Sequence, residues 1–212
     1  MFSKVILNSN ILKNIFSLTV VQFATYIFPF LITPVVSRAL GPEGYGEYLF
    51  FISITNYIFL IIDWGFQFYG PRLISLSKES NHMNIVYEIM ASKLFLACIT
   101  FLLLIILSFF FDINYTIITL LCVTTLSFAF NPLFFLHGVG KIYISAVATF
   151  IIRLISLPII FLTVVEESDL ILLIIIFVST QFLVSLVTFT YLKRNSFKII
   201  LLFSYLLKFS FI

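Results

Sequence analysis

The residue best placed to do chemistry is Arg153, a cation near the middle of the apolar run Ile142–Val165. If that run crosses a bilayer as a helix, the Cα of Arg153 lies roughly 15 to 18 Å from either end, too deep for the side chain to reach water easily. A charge at that depth is costly, so we expect it to face a bundle interior or a watery cavity. Two interpretations stay open: a binding surface for an anion, or a structural arginine paired with a carboxylate or with helix carbonyls.

Further polar side chains lie inside apolar runs, among them Asp63, Gln22 and Gln181. Asp63 is expected to pair with Arg72 or Arg153, or to bind a coupling cation. Gln22 is grouped with Asp63 as a residue for ion coupling or structural pairing, and a hydrogen bond to a neighbouring helix is its simplest role.

Three cations near the ends of apolar runs complete the candidate binding residues: Arg38, Arg72 and Lys141. Arg38 adjoins a glycine-rich segment and is expected to contact lipid headgroups, to cap the preceding helix or to meet a substrate. Arg72 and Lys141 are expected at the inner mouth of a cavity that Arg153 would line.

No sequence pattern indicates catalysis, a metal site or a cofactor, so we expect a protein that is not an enzyme. The segment from Gly138 to Lys141 resembles the end of a phosphate-binding loop, but Phe135 stands where that loop needs its first glycine, and Ile142 stands where it needs Ser or Thr. The two histidines have no second ligand at metal spacing, and the two cysteines lie in apolar runs.

Composition places the chain in a membrane. Of its 212 residues, 62% are hydrophobic and 10% are charged, and the mean hydropathy is +1.20. A soluble domain carries about 25% charged residues, and repeated charge-free runs of about 18 residues or more indicate transmembrane helices. The net charge of +3 gives no support to a nucleic-acid partner.

The predicted fold is an all-α integral membrane protein with a bundle of six transmembrane helices. The bundle is assigned to residues 1–194, and 195–212 to a cytoplasmic linker and the truncated start of a seventh helix. The predicted spans are Ile11–Val36, Tyr45–Tyr69, Asn84–Phe111, Tyr115–Leu136, Ile142–Val165 and Leu170–Leu192. The connections between the spans are short except for Pro71–Met83. This segment is expected to be either a surface helix or a solvated loop.

A tight turn is predicted between the first two spans, within Thr33–Tyr48. Gly41 is expected to take a left-handed conformation that ends the first helix, and Pro42 cannot continue that helix. The chain must reverse here if both flanking runs cross the same membrane.

Basic residues set the predicted orientation, with both termini in the cytoplasm. Only Arg38 falls on the outer side, and Arg153 on neither side. The inner side then holds ten cations: Lys4, Lys13, Arg72, Lys78, Lys93, Lys141, Lys193, Arg194, Lys198 and Lys208.

Three motifs carry a resemblance to a known family. The first motif closes the N-terminal apolar run and consists of Pro34, Ser37, Arg38, Leu40, Gly41, Pro42, Tyr45 and Gly46. The second is Asp63-Trp64-Gly65-Phe66, and the third is the segment Asn131–Gly138. Together they resemble the start of Wzx-type polysaccharide flippases, the O-antigen transporters of the multidrug/oligosaccharidyl-lipid/polysaccharide exporter superfamily.

The resemblance implies a fold and a function. Wzx-type flippases move undecaprenyl-pyrophosphate-linked oligosaccharides from the inner to the outer leaflet of the bacterial inner membrane, for O-antigen or capsule assembly. They have two bundles of six helices, so this chain resembles the N-terminal half and is expected to be a fragment. Expected partners are the lipid-linked oligosaccharide, membrane lipids, and a polysaccharide polymerase or the missing C-terminal half. The alternatives are a cation-coupled drug exporter of the same superfamily and a membrane fragment that does not transport.

Overall fold

A computed structural model describes residues 9–111 and 114–194, excepting the side chains of 9–18, 20–26 and 111, and every regular element in those ranges is helical. The predicted linker and start of a seventh helix, 195–212, lie outside the described residues. The helices are α1 Ser9–Asp63, α2 Phe66–Leu76, α3 His82–Phe111, α4 Tyr115–Ala129, α5 Leu133–Gly138, α6 Ile142–Thr163 and α7 Leu170–Arg194. Short 3₁₀ turns, Glu79–Asn81 and Glu167–Asp169, precede α3 and α7.

Helix α1 is folded into a hairpin at Gly41, with a first arm (9–40) and a second arm (42–63). The φ of Gly41 is 68° and its ψ is 179°, values that only glycine adopts readily. The hydroxyl of Tyr45 donates to that of Thr33 at 3.5 Å, although twelve residues of continuous helix would separate the two by about 18 Å. The prediction of positive φ at Gly41 is confirmed, but the ψ value differs from that of a left-handed helix cap.

Among the described residues, five helical stretches are long and apolar enough to cross a membrane, against the six predicted. The prediction of six separate spans is wrong by one element because the first stretch, Ile27–Leu76, is one 50-residue unit that includes both arms and α2. The two arms are separate helices joined at Gly41, whose backbone is not helical.

Two helices break at short irregular segments. Between α1 and α2, Trp64 and Gly65 have φ values of 41° and 88°, which helical backbone does not allow. Between α4 and α5, the chain passes through Phe130, Asn131 and Pro132, and proline lacks the N–H that would continue α4. The segment Pro71–Met83, predicted as a surface helix or a loop, combines the second half of α2 with the first 3₁₀ turn.

The helices bury side chains chiefly at contacts between elements and leave large apolar side chains on the outside. One buried cluster joins α2, α3, α5 and α7 through Ile74, Met90, Phe134 and Leu192. On the surface, Phe30, Phe109 and Leu162 are each at least 78% exposed. An apolar exterior of this kind suits contact with lipid chains and not with water, which agrees with a membrane protein.

Candidate functional site

A cavity of about 260 Å³ lies between both arms of α1, α6 and α7, and Arg153 lines it; we call it the Arg153 cavity. The hairpin at Gly41 brings residues on both arms to this space, among them Phe28 and Tyr48. Helix α6 supplies Thr149 and Arg153, which lie four residues apart and therefore share a helix face. The cavity depends on the chain reversal, since without it the two arms could not form opposite walls.

The guanidinium of Arg153 has an aromatic contact and no acidic one among the described residues. It lies 5.4 Å from the centre of the Phe28 ring, within the range of a cation–π interaction. Within the ranges 9–111 and 114–194, the one ion pair whose atoms are described joins other residues, Asp63 and Lys93. Of the two interpretations of Arg153, pairing with a carboxylate therefore gains no support, and its donors are available to a ligand.

Hydroxyl groups form most of the remaining polar lining of the Arg153 cavity, and aromatic rings lie beside them. Tyr45 and Tyr48 have ring centres 6.4 Å apart, and the Tyr45 hydroxyl donates to Thr33. Helix α7 adds Thr180 and Gln181. Hydroxyls, an amide and aromatic faces are groups that can hydrogen-bond to and stack on a sugar ring, while a guanidinium fits a phosphate.

An apolar groove of about 110 Å³ lies on the other side of Arg153 and Phe28, which line both spaces. We call it the lipid-facing groove; it runs between the first arm of α1 and α6, and its remaining lining is apolar: Ile27, Leu31, Phe150, Leu154 and Leu157. Leu154 is 54% exposed, so the groove is open to the lipid around the bundle. The Arg153 cavity, whose lining is partly polar, and the lipid-facing groove thus meet at one cation.

A second charged site is buried where both helices break. The ammonium of Lys93, on α3, lies 3.9 Å from Oδ1 of Asp63, and the two side chains are 5% and 9% exposed. It donates to the backbone oxygen of Asn131 at 3.2 Å. The other carboxylate oxygen of Asp63, Oδ2, accepts from the backbone N–H of Gln67 at 3.3 Å. We call this group the Lys93 site.

The sequence-based partners of Asp63 were wrong: Lys93 occupies the place predicted for Arg72 or Arg153. Arg72 is exposed on α2, and Arg153 lies in the separate cavity. The error arose because Lys93 was assigned to the cytoplasmic side of the membrane. It lies instead about 17 Å along α3 from His82, buried against the end of α1. Its position inside the apolar run 84–111 was the signal that could have identified it.

The other candidate residues lie apart from the Arg153 cavity. Arg38 is exposed near the Gly41 end of the bundle, where it lines a shallow surface pocket with Pro34 and Phe161. Lys141 is exposed and donates to the Tyr191 hydroxyl at 3.0 Å, a bond that raises the pKa of Lys141 above its ordinary value. The side chain of Gln22 lies outside the described residues, so its predicted role stays a prediction.

Comparison with known proteins assigns the chain to a family. The model of the family described as "Polysaccharide biosynthesis protein" matches residues 11–211, almost the whole length. The chain belongs to the polysaccharide biosynthesis protein family. This assignment agrees with the family that the sequence motifs resemble.

Two curated proteins are similar to this chain in sequence. A "Putative O-antigen transporter" of Escherichia coli (strain K12) is 25% identical over 162 residues, which cover 74% of this chain and 39% of that protein. A protein of the same name from Shigella dysenteriae is 31% identical over 88 residues, which cover 41% of this chain and 22% of that protein. The matched regions therefore cover less than half the length of either relative. No solved structure matches it.

Proposed function

We propose that this bundle is the headgroup-binding half of a transporter that moves undecaprenyl-pyrophosphate-linked oligosaccharides across the bacterial inner membrane. The observation that carries the proposal is the position of Arg153, a cation without an acidic partner among the described residues, between a cavity of mixed polar and apolar lining and a lipid-facing groove. A lipid-linked sugar has the same three parts in the same order: an apolar chain, an anionic phosphate group and a polar glycan.

Each part of such a substrate has a matching surface. The isoprenoid chain would lie against Leu31 and Leu154 in the lipid-facing groove. The pyrophosphate would meet Arg153, whose guanidinium can donate two parallel hydrogen bonds to phosphate oxygens. The first sugar would contact Tyr48 and Thr149 in the Arg153 cavity. This arrangement replaces part of the hydration that the polar groups lose on leaving water, while the chain stays in lipid.

The remaining wall and partners of the transport pathway belong to the same proposal. The relatives are more than twice as long as the matched region, so a second bundle would close the Arg153 cavity from the side that this chain leaves open. Arg72 and Lys141 would attract the anionic substrate from the cytoplasmic side, and Arg38 would meet it at the outer side. A polysaccharide polymerase would act on the delivered oligosaccharide.

The orientation with both termini in the cytoplasm is also proposed. The two ends of the bundle differ in charge: Lys141 contacts Tyr191 near the basic end of α7, whereas Glu167 lies beside Gly41 at the opposite end. Positively charged ends stay in the cytoplasm. Alkaline phosphatase fused after residue 168 should be active, and a fusion after residue 140 should be inactive. The reverse activities would overturn the orientation.

The alternative of a drug exporter finds less support. A cavity for organic cations would need an acidic group, and the described residues lining the Arg153 cavity include none. Asp63, the acid predicted for that role, is in the Lys93 site instead. A cation entering the Arg153 cavity would meet a like charge.

The test is binding of radiolabelled undecaprenyl-pyrophosphate-linked glycan to the purified chain in lipid nanodiscs. Arg153→Ala should weaken binding by roughly 10- to 100-fold, the cost of losing charge-assisted hydrogen bonds, and Arg153→Lys should weaken it less. Lys78→Ala is the matched control, because Lys78 is an exposed cation outside the proposed site. Neutral undecaprenol, which has the isoprenoid chain but no phosphate, should compete only weakly.

Binding that is equal in wild type, Arg153→Ala and Lys78→Ala would overturn the proposal. Gel filtration of each variant distinguishes a lost site from a lost fold. If Arg153→Ala does not fold, Arg153→Gln serves instead, since glutamine keeps hydrogen-bond donors and removes the charge.

A further inference from the structure

Helix α2 turns aside from the direction of the second arm of α1. The rings of Phe51 and Phe177 are in contact, with centres 6.4 Å apart, so these residues lie at one level in the bundle. From Phe177 to Leu192, α7 rises about 22 Å. A straight helix from Phe51 to Ile74 would rise about 34 Å, yet Ile74 and Leu192 belong to one buried cluster. The difference of about 12 Å requires α2 to run steeply inclined to the other helices.

The backbone break explains this change of direction. Trp64 and Gly65 have φ values of 41° and 88°, and a positive φ is strained for a side chain as large as that of tryptophan. Helix α3 supports the same arrangement. Lys93 pairs with Asp63 where the break begins, and Met90, only three residues away on α3, already packs in the cluster that contains α2. Helix α2 therefore gains little height over its length.

The break lies at the level of a membrane surface. The second arm of α1, residues 42–63, is about 33 Å long, close to the roughly 30 Å of hydrocarbon in a bilayer. Trp64 therefore lies at the boundary between hydrocarbon and water, and its side chain is 74% exposed. Tryptophan is enriched at that boundary because its ring is apolar and its N–H needs a partner. The inclined α2 then runs along the membrane surface instead of away from it.

One side of α2 is largely apolar although it faces outward. Phe68, Tyr69, Arg72 and Leu76 share this side, and all four are exposed; we call it the outer face of α2. Phe68 is 86% exposed and Leu76 is 77% exposed, while the opposite side of the helix is buried against α5. In water, the outer face would leave an apolar patch uncovered, and such patches mark contact with a partner or a membrane.

The charge on the outer face indicates a phospholipid layer as the partner. Arg72 is the one charged residue of that face, and the ion pair found in the described ranges joins Asp63 and Lys93 instead. A long cationic side chain can keep its stem beside acyl chains and place its charge at the phosphate groups. The outer face also continues the apolar surface of the second arm, where Tyr57 and Leu60 are exposed.

We propose that Trp64 and the outer face of α2 form a surface that binds phospholipid headgroups. Helix α2 lies in the plane of the membrane boundary, with Phe68 and Leu76 among the acyl chains and Arg72 on lipid phosphate. Since α2 packs on α5, this surface fixes both helix breaks at one depth. It does not depend on the proposed substrate, whose phosphate is assigned to Arg153.

Tryptophan fluorescence measures the depth of this surface, because Trp64 is the one tryptophan of the chain. In nanodiscs of brominated phospholipids, bromine near the headgroup should quench Trp64 more strongly than bromine near the end of the acyl chain. The variants Trp64→Phe/Phe68→Trp and Trp64→Phe/Leu76→Trp should report the same depth, whereas a helix along the membrane normal would place position 76 about 12 Å farther out. Trp64→Phe/Leu102→Trp is the control, since exposed Leu102 lies within α3 and deep bromine should quench it more strongly.

Stronger quenching by aqueous iodide than by either brominated lipid would overturn the proposal. At position 76 that result would mean that α2 does not lie flat. For wild-type Trp64, which needs no substitution, it would mean that the break does not lie at the membrane boundary.

The phosphate contact is tested by adding phosphatidylglycerol to the purified chain in a phosphate-free detergent and following Tm. Arg72→Ala should need roughly fivefold more lipid for the same rise in Tm, the effect of one cation at an anionic membrane surface. Arg72→Lys, which keeps the charge, should need less lipid than Arg72→Ala. Equal requirements in wild type and Arg72→Ala would overturn the role of Arg72. An equal rise in Tm with inorganic phosphate would overturn the assignment to lipid.

Discussion

Gly138 lies so close to Ile74 that a Cβ atom placed on the glycine would be 2.6 Å from the Cβ of Ile74. Here Gly138 belongs to α5 and Ile74 to α2. A second contact runs the other way, because a Cβ on Gly70 of α2 would be 2.8 Å from the ring of Phe134 of α5. Each of α2 and α5 thus offers a glycine to a large side chain of the other. This contact packs the segments that follow the two helix breaks, and it therefore supports the position of the Lys93 site.

Replacing Gly138 should loosen this contact. Gly138→Ala forces α2 and α5 apart and should lower the free energy of unfolding by about 1 to 3 kcal/mol, the usual cost of overpacking. The measurement is thermal or denaturant unfolding of the purified protein. Gly46→Ala is the control: Gly46 has open space around it in α1, so alanine should leave stability unchanged or raise it by about 0.5 to 1 kcal/mol. Equal losses for both variants would contradict the packing argument.

The hairpin of α1 should depend on Gly41. A side chain at its φ of 68° is strained, and the new Cβ would also lie 2.8 Å from a carboxylate oxygen of Glu167. Gly41→Ala should therefore lower the free energy of unfolding by about 1 to 3 kcal/mol. Comparison with Gly140→Ala separates the causes, because Gly140 has a φ of 69° but no atom within 4 Å of the new Cβ. Unchanged stability in both variants would show that the backbone strain at positive φ is relieved, and it would contradict the prediction.

Local chemistry made the hairpin predictable, whereas the number of spans was harder to predict. Gly41 followed by Pro42 interrupts a helix whatever surrounds it, so the sequence alone indicates a turn. The sequence does not show how few residues the turn takes; in the structure Gly41 is the residue inside α1 with non-helical backbone angles. The break at Trp64 was missed because only its backbone angles, and no proline, mark it.

The candidate site was only partly predictable for a similar reason. An arginine in mid-membrane needs polar surroundings, and this constraint acts on Arg153 whatever its neighbours are. Which partner Asp63 takes depends instead on how far α3 extends past the end of α1. That register is set by tertiary packing, and no spacing in the sequence records it. Burial of Lys93 could have been suspected from its apolar flanks, but its contact with Asn131 could not.

Water access should distinguish the Arg153 cavity from the lipid-facing groove. In a chain with Cys98→Ala and Cys122→Ala, Thr149→Cys should react with a charged, membrane-impermeant methanethiosulfonate, because Thr149 lines the Arg153 cavity together with other polar side chains. Leu154→Cys should react at least tenfold more slowly although Leu154 is more than half exposed, since it faces lipid and a thiol reacts as its thiolate. Labelling is measured by mass spectrometry. Equal rates at both positions would contradict the separation of the two spaces.

The Asp63–Lys93 pair should show strong coupling in a double-mutant cycle. Lys93→Met removes the cation but fills most of the side-chain volume, and it leaves the Asp63 carboxylate buried without a counter-charge. Asp63→Asn likewise leaves the Lys93 ammonium buried without a counter-charge. Each change should lower the free energy of unfolding by about 3 to 5 kcal/mol, while the double variant should lose less than either, because neither charge then remains unpaired. Unfolding is measured in choline chloride, because the choline cation is too bulky to take the place of the lysine ammonium. Losses that simply add in the double variant would mean that the two charges, although 3.9 Å apart, do not stabilise each other.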